Sequence, residues 1–295
     1  SVIQSRVVAG SRAAGLEASA GFLSLSGDSL DLNLVWRFVA DRSVLLDTPA
    51  VDQTCLSWMP ADATLAAVAL AMGRGPEFCD ALFEVADRVD RADPARTRLQ
   101  PLRVRLNLMA AIRGVRPEVD LWPLLRSVGA GLIGDPARPG VVSGAILTLC
   151  AERPEDAERI LTRVVQPALA ATGRIGGKPI EAASRGNMVV IGWGEGILAA
   201  ALKLREQRGR SADTLVRVSI QPVGRLGFFR PGLVDILGLG GPDSPLSATL
   251  AKAAPTVWRG GWAGGRAGDM LSWGQLRRSV ARFLDRVPQE PPEAP

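Results

Sequence analysis

The chain has 295 residues, a net charge of +5, and neither histidine nor tyrosine. The missing imidazole excludes Ser-His-Asp and Cys-His machinery and any His metal site. The missing phenol excludes a tyrosyl nucleophile, radical or phosphorylation switch. A hydrophobic fraction of 47% against 22% charged predicts a packed core, and 32 Gly with 21 Pro predict many turns and short elements.

The first predicted element is a β-hairpin over residues 16–38. Ala20 to Ser26 alternates, Gly27-Asp28-Ser29 turns the chain, and Leu30 to Trp36 alternates again at period two. A unit of apolar strand, tight Gly or Pro loop and amphipathic helix then recurs. Ala63 to Met72 is the first such strand, and Gly73 to Glu77 leads into a helix with Phe78, Leu82, Val85 and Val89 on one stripe. A helix over about 98–113 inserts between units, and Asp120 to Leu125 forms another short one. Val128 to Ile133 is expected to pair with Val141 to Cys150 across the turn at 135–140. Pro154 then opens a helix with Ala157, Ile160, Leu161, Val164 and Val165 inward. Lys178 to Ala183 and Met188 to Ile191 form the next hairpin, and a helix follows through Leu204. Val216 to Ile220 and a short helix from Arg230-Pro231 to Leu237 make the last unit. Residues 238–247 and 259–268 read as Gly-rich loops, 273–286 as an amphipathic helix, and 288–295 as a Pro- and acid-rich tail.

Strands joined by short turns pair antiparallel. The expected class is therefore α+β, a mainly antiparallel sheet built from strand–loop–helix units with helices on one face. The expected divisions are an N-terminal hairpin region over 1–50, a main domain over 51–256, and a loop, helix and tail over 257–295.

The motifs carry little chemistry. Gly129-Ala130-Gly131-Leu132-Ile133-Gly134 satisfies GxGxxG, but a helix precedes it and Asp135-Pro136 follows, so it reads as a small-residue strand. Gly173 to Lys178 lacks the first glycine and the hydroxyl residue of a phosphate loop and reads as a turn. Asp87, Asp90 and Asp93 are interleaved with Arg and read as a solvated helix end rather than a cation site. Arg205, Arg208, Arg210 and Arg277, Arg278, Arg282 read as helix faces, so nucleic acid is not expected as a partner. Cys55, Cys79 and Cys150 have no CxxC spacing, which excludes a disulfide framework and a zinc site. Three buried cysteines are expected, with one disulfide plus one free thiol left open.

Two places are candidates for contact. Trp193 and Glu195, in Gly192-Trp193-Gly194-Glu195-Gly196, could line a pocket at a strand-to-helix corner or form a tight turn capped by Trp193. Trp258, Arg259, Trp262 and Arg266 form a candidate interaction surface in a Gly-rich frame. No catalytic residue, metal ligand or cofactor site is expected.

Three phrases carry a resemblance: Leu56 to Thr64, running into a strand; Val119-Asp120-Leu121-Trp122-Pro123-Leu124-Leu125; and Ala145 to Leu149. With the terminal segment from Trp273 to Pro292, they resemble uncharacterised bacterial exported or envelope proteins of a "domain of unknown function" family, over about residues 55–240. The resemblance implies an α+β envelope protein and supplies no catalytic residues. The expectation is a non-enzymatic envelope or assembly protein acting through protein–protein contacts, with a protein partner or a homo-oligomer. The alternatives are a carboxylate hydrolase of glycans using Glu195, and a basic nucleic-acid or capsid-type protein. No apolar run reaches about 18 residues, so no transmembrane segment is expected. The expected location is the envelope or periplasm, with the cytoplasm as the alternative. The first ten residues lack a signal-peptide core and the sequence begins without Met, so a processed or trimmed N-terminus is expected and an export signal would be invisible in it.

Overall fold

A computed structural model describes residues 16–26, 29–38, 49–72, 80, 83–84, 102–135, 138–207, 209–216, 224–230, 256–263 and 266–273. The class is the expected α+β with an antiparallel sheet. Among the described residues eleven strands lie in the order β1-β2-β11-β10-β9-β3-β4-β5-β8-β7-β6, and every pairing between them is antiparallel.

β1 (Leu16–Ser26) and β2 (Ser29–Phe38) are the alternating hairpin read from the sequence. β3 (Thr64–Ala71) is the strand after the Pro60-Ala61-Asp62 turn. β4 (Leu125–Asp135) and β5 (Arg138–Ala151) form the long central hairpin. β6 (Arg174–Ile175), β7 (Lys178–Arg185) and β8 (Met188–Trp193) close one side. β9 (Arg225–Phe229) sits between β3 and β10.

Two expectations are overturned. Helices pack on both faces of the sheet rather than on one, because its central strands are apolar on both sides. Residues 259–268 are not a loop: β10 (Thr256–Ala263) and β11 (Arg266–Trp273) run through them, and β11 pairs onward with β2. Glycine count misled the reading. Alternation persists beneath it, with Trp258, Gly260 and Trp262 at one parity and Val257, Arg259 and Gly261 at the other.

The helices are α1 (Leu102–Ala111), α2 (Pro117–Asp120), α3 (Pro154–Ile160), α4 (Gln166–Thr172) and α5 (Ile197–Glu206). A π-helical turn, Leu161–Val165, links α3 to α4. The helix expected over 120–125 divides between α2 and a 3-10 turn, Trp122–Leu124. The helix expected from Glu77 onward is described at Asp80, Phe83 and Glu84 alone. The acids at 87, 90 and 93, the segments 217–223 and 231–250, and the terminal helix and tail beyond Trp273 lie outside the described residues.

Two cores form on opposite faces of β3, β4, β5 and β8. On the inner face, a 3-10 helix, Gln53–Trp58, lies with α5 over Ala67, Ala69, Ile146, Cys150, Met188 and Val190. α5 can approach because Gly192 has no side chain; a Cβ there would stand 2.7 Å from the Leu198 nitrogen. On the outer face, α3 and the π turn press Ala157, Ile160, Leu161 and Val165 onto Leu149, Ala151 and Val189. Burying each large aliphatic side chain stabilises the fold by about 1.5–3 kcal/mol.

Candidate functional site

Strand register places the most conspicuous surface of the molecule. Residues paired across the sheet form rows on one face. One row on the outer face runs Trp258, Gly227, Val68, Ala130, Leu147, Ile191 and Ala182. The next runs Phe229, Ala66, Leu132, Ala145, Trp193 and Ile180. Both rows are wholly apolar. The α3 cover stops one row short of them. Leu149 is 8% exposed beneath α3, whereas Leu147, two residues earlier in the same strand, is 37% exposed.

Among the described residues these rows, Ala182 and Gly227 apart, line a groove of about 570 Å³. Leu132 is 37% exposed, and Ile175, at the rim, is 53% exposed. A contiguous apolar area on a sheet face is a feature that most monomer surfaces keep small.

Each end of the groove carries a tryptophan beneath a cation. At one end Trp193 Nε1 donates to the Ile175 carbonyl at 2.9 Å, and Lys178 Nζ lies 4.8 Å from the indole centroid. Lys178 also donates to the Ser143 carbonyl at 2.7 Å, which fixes the ammonium there. At the other end the Arg225 guanidinium lies 5.8 Å from the Trp258 ring. Trp193 is on β8 and Trp258 on β10, five strand spacings apart, or about 24 Å.

The sequence candidates divide between groove and surroundings. Trp193 and Trp258 line the groove and Lys178 flanks it, while Glu195 is exposed at the turn before α5. Trp193 and Glu195 therefore do not converge on one pocket. Arg259 has the opposite strand parity from Trp258 and lies on the other face of β10. The side chains of Trp262 and Arg266 lie outside the described residues. Sequence reasoning missed Leu132, Leu147 and Ile191, which lie in strands apolar at consecutive positions on both faces. Such runs signal two covered faces, so an uncovered half-face leaves no local trace.

A second concavity, about 620 Å³, is charged and lined by Arg116, Asp120, Glu158, Arg159 and Arg163. Its charges pair locally, with Arg159 to Asp120 at 3.3 Å. The main-chain N–H of Arg116 also donates to Asp120, which together with Arg159 holds that carboxyl below its ordinary range.

On the inner face a polar cluster ties the 3-10 helix to β4 and β5. Thr148 Oγ1 donates to the Cys55 carbonyl at 2.9 Å, and the Asp52 nitrogen donates to Ser127 Oγ at 2.9 Å. Asp52 caps the helix by accepting from the Thr54 nitrogen at 3.0 Å. Burial alone would raise the Asp52 carboxyl, but the Thr54 bonds, the Cys150 thiol and the charge of Arg126 together hold it below its ordinary value. Among the described residues no group of three or more Cys, Asp or Glu could hold a metal ion, and no helix is long and apolar enough to cross a membrane.

Comparison with known proteins returns no match: no family model, no curated protein and no solved structure is significantly similar to the chain. The site is accordingly read on its own geometry, which is that of an apolar groove on one face of an antiparallel sheet.

Proposed function

We propose that the protein is a non-enzymatic assembly protein of the cell envelope that works through protein–protein contact, with the uncovered sheet face as its contact surface. The observation that carries this reading is the pair of wholly apolar rows between Trp193 and Trp258, left bare where α3 stops. Covering Leu132, Leu147 and Ile175 on binding would return about 1 kcal/mol each. Tryptophan and arginine are the side chains that most often dominate such interfaces. The envelope location rests on the resemblance carried by Leu56–Thr64 and Val119–Leu125.

The charges at the rims specify the partner further. Lys178 and Arg225 stand at opposite ends of a groove about 24 Å long, so the complementary partner is a protein segment with an apolar centre and acidic side chains at both ends. An extended stretch of about seven residues covers that distance. The carboxylate-hydrolase alternative has less support, because Glu195 is exposed and outside the groove.

The test uses two synthetic peptides with one apolar core, flanked either by glutamates or by lysines, titrated against the full chain by calorimetry. The expected result is saturable binding of the glutamate peptide, at least tenfold weaker binding of the lysine peptide, and loss of both in L132D and L147D. Equal binding of both peptides, or binding unchanged in the variants, overturns the reading. Self-association that disappears in L147D would reassign the face to a second copy of the chain.

A further inference from the structure

Cys55 and Cys150 are far apart in sequence and meet in the inner core. Cys55 is in the 3-10 helix, Cys150 is in β5, and both are 0% exposed. Three contacts hold their backbones together. Thr148, two residues before Cys150 and on the same face of β5, donates to the Cys55 carbonyl. Ser127, the register partner of Cys150 on β4, accepts from the Asp52 nitrogen. The Cys150 thiol itself donates to Asp52 Oδ2 at 3.3 Å. The 3-10 helix is thus laid along Ser127, Thr148 and Cys150, which puts Cys55 and Cys150, both free thiols in the structure, in one buried cluster between the helix and β5.

We infer that Cys55 and Cys150 are a structural disulfide pair, closed when the chain folds in an oxidising compartment. The oxidant is a disulfide-bearing thiol carrier or small-molecule disulfide. One cysteine attacks it as thiolate, and a mixed disulfide forms. The second cysteine, also as thiolate, displaces the carrier. One S–S bond is made in the protein, two S–H bonds are lost, and both protons pass to solvent. The electron pair reduces the carrier's disulfide to two thiolates, which take up two protons from solvent and leave as thiols. The exchange belongs to folding because the folded pair is sealed. The hydrogen bond from Cys55, burial and the neighbouring Asp52 charge push the Cys150 thiol far above its ordinary value, so it is not a nucleophile once enclosed. The remaining thiol, Cys79, lies outside the described residues. This inference is independent of the outer face and stands or falls without it.

The test is to produce the full chain both in the bacterial periplasm, behind a cleavable export signal, and in the cytoplasm. Free thiols in each pool are alkylated in denaturant and the peptides mapped by mass. The periplasmic chain is expected to have one alkylated cysteine, Cys79, and a peptide pair joined through Cys55 and Cys150; the cytoplasmic chain has all three alkylated. In C79S the periplasmic chain has no alkylated cysteine, and in C150A the joined pair disappears. Three alkylated cysteines in the periplasmic chain, or a bridge that includes Cys79, overturn the inference. So does an oxidised chain that melts at a lower temperature than the reduced one.

Discussion

The two faces of β3, β4, β5 and β8 are built from the same strands, one residue out of step, and they solve different problems. The inner face is closed. Gly129, Thr148 and Val190 lie in one row beneath the 3-10 helix, with hydroxyl, carbonyl and thiol groups all bonded. The outer face, through Ala130, Leu147 and Ile191, is more uniformly apolar yet left open. Apolarity alone therefore does not report burial in this sheet. The length of the covering element does: α3 and its π turn reach Leu149 and stop.

That contrast predicts unequal responses to substitution. The largest effect is expected from G129V. A Cβ at Gly129 would stand 2.4 Å from Thr148 Oγ1 and 2.8 Å from the Cys55 Cβ, so the 3-10 helix must lift. Overpacking of this kind costs about 1–3 kcal/mol or more, visible as a lowered urea midpoint. T148V removes the donor to the buried Cys55 carbonyl and is expected to cost about 1–3 kcal/mol in the same measurement.

The inner face should also respond to pH. The Cys150 thiol is raised in the folded chain and ordinary in the unfolded one. Its contribution is complete below the ordinary thiol value of about 8.5 and is lost as pH rises beyond it, by up to about 1.4 kcal/mol per unit. C150A should flatten this alkaline limb of the stability profile, and so should closure of the Cys55–Cys150 bond. Asp52 is lowered, so its contribution is present above the ordinary carboxyl value of 3.8 and fades as pH falls below it.

The smallest stability effect belongs to the outer face. L147D places a carboxylate where the side chain already meets solvent and is expected to shift stability by less than about 1 kcal/mol. It should nonetheless abolish binding of the glutamate-flanked peptide. A large loss of stability in L147D would show that the face is covered and would remove the contrast.

Much of the sheet was legible because period-two alternation and short turns are local signals. Leu30 to Trp36, the 135–140 turn and the Ser184-Arg185-Gly186-Asn187 turn each mark their hairpins directly. The small-residue run from Gly129 to Gly134 was correctly read as strand, and the reason for it now has atoms attached. β10 and β11 were misread because five glycines at 260–268 outweighed the alternation of Trp258, Gly260 and Trp262. The groove was illegible for a different reason. It depends on which strands neighbour one another and on where a helix stops, and neither is a property of any short stretch of sequence. Trp193 and Trp258 were each singled out, but nothing local states that they bound the same face.

The placement of β11 between β2 and β10 has a consequence for synthesis. The hairpin of β1 and β2 is made before the other described strands, yet its neighbour in the sheet among the described residues is the last of them, β11. Its open edge therefore waits while the chain between Phe38 and Arg266 is made, a long interval at about 5–20 residues per second. Sequence-distant pairing of this kind slows folding and leaves an unpaired strand available to other chains. A nascent chain stalled before residue 266 lacks β11 and leaves β2 and β10 without the strand that joins them.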